Sequence, residues 1–579
     1  MAFVLIDDAR PGGRATLYRD PAEIVVAHRP DEVRPALERL RDLGGRHAAG
    51  FLSYEAGYAL EPKLAPLAGE GEQPLLWFGL FDRAEPVDAD AFLPDPAAGW
   101  AGAIEPLVAR DDYEARAAQV IEHIFAGDIY QANLSFPASV RTAGDLRAVY
   151  AAIRRRAGGG HGALVHTGDH WLLSFSPELF FTLADGHVVT RPMKGTAVRA
   201  PGVAADRAAA AALHADPKQR AENLMIVDLL RNDLSRVARP HSVQVPALYA
   251  IETYPTVHQM TSTVTADLAA GVGPVDLIEA IFPCGSITGA PKIRAMEIIA
   301  GLEARTRGVY TGAIGTIGPG GDAAFNVAIR TLAMKAGETM ATIGLGSGIV
   351  ADSRVEDEWR ECLAKGAFVG EAAKFDLFET MRFDPVAGIV ALDRHLQRMK
   401  DSAGTLGFAF DRHDARNELQ AATFRLREAR KVRLRLSPSG AIAVEVRPLP
   451  EAPFQPVPVA IAPLPVDAAD FRLRHKTSNR AFYDDARAAS GAFEAVFEDG
   501  EGFLTEGSFT HLFVERGGVL LTPPLVRGML PGTLRAELIE TGKAEEAELT
   551  RADLSGGFLI GNMLRGLLRA KLARPSARR

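Results

Sequence analysis

The chain has 579 residues, 47% of them apolar and 24% charged, with a net charge of −8. That length exceeds one ordinary core and predicts two or three domains, while the composition excludes a disordered chain. The negative charge argues against nucleic acid as a general partner, and no run approaches the roughly 18 apolar residues of a membrane helix.

The first eight residues, an apolar run closed by Asp7-Asp8, read as a strand rather than a basic leader. Strands are expected at 3–6, 23–27, 50–54 and 75–81, with one helix over 31–43 ended by Gly44-Gly45. Residues 101–112 read as a connector and 113–125 as a helix. Strands follow at 163–166, 171–175, 179–183 and 188–190, with a turn at Asp185-Gly186, and 204–215 is an Ala-rich helix or loop. This is an α+β pattern of mostly antiparallel strands. A second unit begins near Lys374, with strands at 375–382, 388–391, 431–437, 442–448 and 457–462, a helix over 479–490, and further strands to 522. The Arg-rich end, 569–579, reads as a solvated terminus. Cys284 and Cys362 are too few for a disulfide scaffold and fit a reducing compartment, so a cytoplasmic location is expected.

Two constellations carry chemistry. In the first, Glu178 (in SPELF) and Lys194 (in RPMKGT) end adjacent strands, so the hairpin can bring them together. A lysine at a buried strand end can lose its charge and act as nucleophile or base, with a glutamate to move the proton. Glu222 lies in the helix RAENLMIVDLLRND, while Glu358, Glu361 and Lys365 share one face of another. Carboxylates from two helices suit Mg²⁺, which keeps waters and takes substrate oxygens. Gly344-Leu345-Gly346-Ser347-Gly348 offers a backbone nest, and Thr288 precedes a helix start at Pro291. Arg330 and Tyr310 add donors. Each piece alone is equally what a salt bridge, a solvated helix face or a tight turn looks like. In the second constellation, Lys476 stands between strands and a helix, Glu506 follows a strand, Arg398 lies on a helix, and Gly532-Thr533 open another.

The wording and order decide between these readings. AGDIYQANLS (126–135), SPELF (176–180), RPMKGT (191–196), RAENLMIVDLLRND (220–233), YPTVHQMTS (254–262), GSITGAPKIRAME (285–297), RGVYTGAIG (307–315), FNVAIRT (325–331) and GSGIVADS (346–353) closely resemble the chorismate-utilising enzymes. The resemblance implies an anthranilate synthase component I-like β-sandwich/α domain over 1–371. It implies Glu178 and His258 as acid/base groups and Glu222 and Glu361 as Mg²⁺ ligands. Tyr310, Arg330, Lys365, Thr288 and Gly346-Ser347-Gly348 would hold the substrate. Anthranilate synthases carry alanine where Lys194 stands, and the lysine form resembles the aminodeoxychorismate synthase branch, in which that lysine attacks the ring. Gln219 stands where anthranilate-type relatives often have glutamate. From about 372 to 579 the chain resembles fold-type IV pyridoxal-phosphate enzymes. That implies Lys476 as the cofactor lysine and proton shuttle, Glu506 at the pyridine nitrogen, and Arg398, Gly532 and Thr533 at the phosphate. His511 stays unassigned, and Asn562 and Arg565 fall in the substrate-side segment.

Together these resemblances imply synthesis of 4-aminobenzoate from chorismate and ammonia, with an aminodeoxychorismate lyase as the second activity. The alternative is a class IV aminotransferase acting on another amino acid. A non-catalytic scaffold would have lost active-site letters, and none is lost. Neither cysteine sits in a glutaminase context, so ammonia is expected from a separate glutamine amidotransferase subunit. A homodimer through the second domain is expected from its family.

Overall fold

The computed structural model describes residues 1–69, 71–254, 257–303, 305–370 and 373–573. The chain packs as two units. One comprises Met1–Phe92, Ala103–Val140 and Ile153–Gly370, and the other Leu93–Gly102, Arg141–Ala152 and the described residues after Gly370. The division expected between 371 and 372 lies outside the described residues, as do residues 574–579 of the Arg-rich end and 255–256 of the YPTVHQMTS segment.

The first unit is built on two ten-stranded sheets whose strands pair antiparallel. Strand alternation explains how both faces of one sheet are filled. In Leu76–Phe81, Leu76, Phe78 and Leu80 join a core with helices Pro30–Arg39, Pro217–Ser235 and Pro274–Ile281, while Trp77 and Phe81 join a core between the sheets. His47–Leu52 does the same, with Ala48 and Leu52 toward the helices and Ala49 and Phe51 toward the other sheet. Strands buried on both faces need near-continuous apolar sequence, which is what these runs contain. The expected turn between Leu179–Ala184 and His187–Arg191 forms with positive φ at both Asp185 and Gly186, the geometry that matches strand twist in a two-residue hairpin.

The 101–112 segment is not a connector. Its first part belongs to strand Gly99–Pro106, and the helix begins early, at Arg110. Within that segment Glu105 lies on the exposed side of the strand, and Asp111 and Asp112 form the acidic first turn of the helix. The Ala-rich stretch is helix Val203–Ala215.

In the second unit, Leu377–Asp384, Arg430–Leu436 and Ile442–Pro448 form an antiparallel sheet covered by helices Leu392–Leu406 and Arg412–Thr423. Trp100 and Ala143, from the two early segments, pack into that same core beside Phe471. An eight-stranded mixed sheet completes the unit, with Val457–Pro463 running parallel to both neighbours, Glu494–Glu498 and Gly566–Leu572. Among the described residues no helix is long and apolar enough to cross a membrane.

Candidate active sites

Each unit carries a cluster of buried charge, and local sequence explains how each is held. In the first unit, Glu178 enters strand Leu179–Ala184, with its backbone N–H donating to Ser176 Oγ at 3.2 Å. Lys194 lies on strand Met193–Val198, followed by Gly195 at φ +93°, a conformation that favours glycine. Glu222 rides on helix Pro217–Ser235, whose start is fixed by Pro217 and by Asp216 accepting from the Lys218 and Gln219 amides. Glu361 and Lys365 are on helix Val355–Gly366, acidic in its first turn and basic in its last.

These side chains converge electrostatically. Burial pushes the Lys194 amine below the ordinary lysine range, and Lys365 pushes it the same way; Glu178, Glu222 and Glu361 oppose them. Burial raises the Glu178 carboxyl, tempered by Ser286 Oγ, which donates to its Oε1 at 2.7 Å. Burial also raises Glu222, with Lys194 and Lys218 opposing and the neighbouring Asp352 and Glu361 adding repulsion. Lys365 has protein around it, yet its side chain stays 44% accessible, so it projects into a cleft rather than into packed core. It pairs with Glu361 at 2.7 Å and donates to the Gly346 carbonyl at 3.0 Å. Burial drives Lys365 downward, but Glu361 more than compensates and its amine is held up.

The glycine-rich segment is not a nest. Gly344, Gly346 and Gly348 lie in extended strand Met340–Ile349 and share one face. A Cβ on them would come within 2.1 Å of the Tyr310 ring, 2.4 Å of Ser135 Oγ and 3.4 Å of Lys194 Nζ respectively. Their contribution is absent side chains: Gly344 and Gly346 let Tyr310 and Ser135 approach the strand, and Gly348 leaves room beside Lys194. Ser347 points the other way and its Oγ meets Tyr113 Oη at 2.9 Å, so it can serve a substrate only through its backbone. The Thr288 hydroxyl is likewise engaged, with the Cys284 and Gly285 carbonyls at 3.2 Å. His258 belongs to a separate polar cluster, with Nδ1 3.0 Å from Thr253 Oγ1 and Nε2 3.0 Å from Asp206 Oδ1. Arg330 is shifted down by burial alone, and among the described residues no carboxylate pairs with it. Its guanidinium lies 5.6 Å from the centre of the Phe368 ring. Sequence reasoning missed Ser286, Ser135 and Gln131, although all three lie inside the words quoted for the resemblance.

Among the described residues no three His, Cys, Asp or Glu side chains form a ready-made metal cage. Glu222 and Glu361 nonetheless suit Mg²⁺. They repel each other from two helices in a cleft, and this ion typically takes one or two carboxylates and fills its other positions with water and substrate oxygens.

The second unit holds a cavity of about 640 Å³ lined by Lys476, Glu506, Arg398, His511, Gly532 and Thr533, among others. Lys476 follows the short helix Phe471–Arg474, and its carbonyl accepts from Phe378 N at 3.0 Å. Burial lowers its amine to about 7, with Glu379 opposing and Arg398, Arg480 and Arg433 adding to the fall. Burial raises Glu506 to about 7, although Tyr483 Oη donates to it at 2.6 Å and Leu530 N at 3.1 Å. Arg398 reaches the cavity, but its Nε and Nη2 donate to Glu379 at 2.8 and 2.7 Å and Nη1 donates to Pro531 O at 2.9 Å. Two guanidinium hydrogens remain for a phosphate. Gly532 caps helix Thr533–Glu540, and a Cβ there would fall 1.9 Å from His511 Nε2. The buried His511 Nδ1 has no hydrogen-bond partner. Glu379, His395 and Tyr483 were not singled out from sequence.

A buried lysine near neutrality, a buried carboxyl, a helix start and an orphaned polar atom together fit pyridoxal phosphate. Comparison with known proteins agrees on both units. Residues 4–371 match the family of chorismate binding enzymes. The chain belongs to that family. Residues 376–572 of this chorismate binding enzyme match amino-transferase class IV, a domain that implies pyridoxal phosphate. The aminodeoxychorismate synthase component 1 of Salmonella typhimurium is 43% identical over 44% of the chain and 56% of its own length. The Klebsiella aerogenes protein of the same name is 37% identical over 61% of the chain and 82% of its own length. The chain thus spans little more than half of the first relative. Anthranilate synthase component I from Streptococcus pneumoniae shares the fold, with a TM-score of 0.54 and 24% identity over 64% of this chain and 92% of that one.

Proposed function

We propose that the chain makes 4-aminobenzoate from chorismate and ammonia in two steps, one in each unit. The observation that carries the reading is Lys194, an amine depressed by burial and ringed by Glu178, Glu222, Glu361 and Lys365. A neutral lysine is a nucleophile, and anthranilate-type chemistry has no use for one here. In the first step the Lys194 amine bonds to the ring as the C4–O bond breaks, and protonated Glu178 supplies the proton with which the hydroxyl leaves as water. Ammonia then forms the C4–N bond and Lys194 departs with its electron pair. Arg330 and Tyr310 receive the substrate's carboxylate and hydroxyl groups, Lys365 and the Gly346–Gly348 floor fix the ring, and Glu222 and Glu361 would hold Mg²⁺ against a carboxylate.

In the second unit Lys476 would hold pyridoxal phosphate, Glu506 would face its ring nitrogen, and Thr533, the Gly532 region and Arg398 its phosphate. When bound, this group withdraws electrons from the amino-bearing carbon of the substrate. Lys476 takes the C4 proton, pyruvate leaves with the C3–O electrons, and the ring becomes aromatic. Both cysteines support an outside source of ammonia. Cys284 and Cys362 are buried, and burial pushes Cys284 up to about 12 and Cys362 upward, so neither is a glutaminase nucleophile. A separate amidotransferase subunit and a cytoplasmic setting follow from this reading.

The test is purified chain with chorismate, Mg²⁺, ammonium and pyridoxal phosphate, followed for 4-aminobenzoate. Lys476→Ala accumulates aminodeoxychorismate, and Lys194→Ala consumes no chorismate by amination at C4. Undiminished 4-aminobenzoate from either variant refutes the corresponding step. The class IV match also supports a second reading, transamination of another amino acid. Fast turnover of D-alanine or leucine with a keto acid, without pyruvate release from aminodeoxychorismate, would establish it.

A further inference from the structure

Lys292 is a buried cation to which the proposed amination gives no part. It is the first residue of helix Lys292–Leu302, and its side chain is 13% accessible. All three hydrogens of its ammonium are engaged: Nζ donates to Asp233 Oδ2 at 2.6 Å, to the Ile281 carbonyl at 3.0 Å and to the Pro283 carbonyl at 3.3 Å. None is left for a substrate. Asp233 lies in the last turn of helix Pro217–Ser235 and Ile281 ends helix Pro274–Ile281, so one amine joins three helices. Part of this is helix capping. A cation suits the carboxyl end of a helix, and Arg236 donates in the same way to the neighbouring Ala280 carbonyl at 3.0 Å.

The bond to Pro283 reaches beyond the helix. Pro283 stands three residues before Ser286, whose hydroxyl donates to Glu178 Oε1 at 2.7 Å. The far side of this loop is fixed by strand pairing, Gly289 with Ala132 and Ala290 with Gln131, and by Asn133 N donating to the Thr288 carbonyl at 2.7 Å. The near side is held by Lys292. Between the two, a Cβ on Gly285 would fall 1.9 Å from Leu229 Cδ2, so the loop has no slack toward helix Pro217–Ser235. A hydrogen bond weakens steeply as it loses alignment, so a displaced Pro283 is felt at Glu178. Burial raises the Glu178 carboxyl, and the Ser286 hydroxyl is the strongest influence drawing it back, ahead of Lys194 and Lys365.

Resting on the reading that Glu178 supplies the proton in the amination, we propose that Lys292 is a positioning residue for that acid. It holds Pro283 so that Ser286 stays aimed at Glu178 Oε1, while its own amine is spent on protein acceptors.

The test removes this hold without altering the local net charge. Asp233→Asn combined with Lys292→Met in the full chain deletes one charge of each sign and leaves no lone ion buried. The protonated Glu178 carboxyl is read, without substrate, as the infrared band that is lost in Glu178→Gln, and it is titrated with pH. Ser286→Ala sets the scale: its midpoint should rise by about one pH unit, the size of one hydrogen bond to a charged group. The double variant should rise by about half as much or more, and adding Ser286→Ala to it should add little. Its amination of chorismate should slow by about tenfold or more, in kcat rather than KM, a fraction of what a general acid contributes. A wild-type midpoint in the folded double variant overturns the proposal and leaves Lys292 a helix cap. So does a full Ser286→Ala shift on top of it. If the double variant does not fold, Lys292→Arg reads the same midpoint, because a guanidinium keeps the ion pair without the ammonium's reach to both carbonyls. Since the carboxyl is titrated without substrate, a chain that does not aminate chorismate would sink the reading of function and leave this measurement to stand by itself.

Discussion

Lys476 ties its environment to pH most directly. A solvated lysine near 10.5 is almost wholly charged at neutrality, whereas one brought to about 7 is half neutral there. Incorporation of pyridoxal phosphate into the apo chain should therefore quicken as pH rises and level off above about 7. An inflection at 9 or higher would show that the amine is not desolvated. The same shift acts on stability. Between about 7 and 10.5 the unfolded lysine holds a proton that the folded one has released, so this group's contribution to stability rises with pH through that window and is least favourable below it. Lys476→Met should accordingly stabilise the apo chain at pH 6–7 by about 1–3 kcal/mol, read as a higher thermal midpoint, and much less at pH 10. Calorimetric scans at both pH values check the sign. At this scale the sequence singled out Lys194, Lys476 and Glu506 by residue type, and the structure buries all three and shifts their acidity. The sequence was silent where the role is a partner's: Ser286 matters because its hydroxyl reaches Glu178, and Glu379 because it takes the fork of Arg398.

Elements decide which member of a motif faces the site. A glycine-rich word reads as a loop, but in strand Met340–Ile349 its alternation sends Gly344, Gly346 and Gly348 one way and Ser347 the other. The face cannot be known until the register is. It makes two glycines of the same strand behave differently. At Gly348 a methyl meets the amide end of Gln131, which can turn aside, so Gly348→Ala should fold normally yet slow the proposed chorismate amination at least tenfold by crowding Lys194. At Gly344 the methyl meets the body of the Tyr310 ring, and Gly344→Ala should cost about 1–3 kcal/mol of stability as an overpacked core does. Denaturant midpoints and initial rates for the two variants separate these outcomes, and equal stability losses would overturn the assignment. Helix Thr533–Glu540 offers the parallel case. Gly532→Ala drives a methyl into His511 and should weaken pyridoxal phosphate binding at least tenfold. Adding His511→Ala, which clears that space, should recover most of the loss in a cofactor titration.

At the scale of the whole molecule, the two-unit plan was legible from two sets of words, but its weaving was not. Trp100 and Ala143 enter a core otherwise made of residues after 370, and no local pattern announces a contact across more than two hundred residues. The chemistry does not share that weaving. Lys194, Glu178, Glu222, Glu361, Lys365, Arg330 and Tyr310 all fall in the first unit, and Lys476, Glu506, Arg398 and Thr533 all fall in the second. The residues proposed for each step are thus drawn from a single unit, and on that reading a lesion in one should leave the other working. The proposed intermediate, a charged small molecule, must then be able to leave one chain and enter another. Full-length Lys194→Ala and Lys476→Ala proteins, each unable alone to make 4-aminobenzoate from chorismate and ammonium, should make it when mixed. Product should appear after a lag that shortens as the concentration of the Lys194→Ala protein, which supplies the second step, is raised. A mixture that stays inactive while each variant keeps its own half-reaction would mean that the intermediate passes only within one chain.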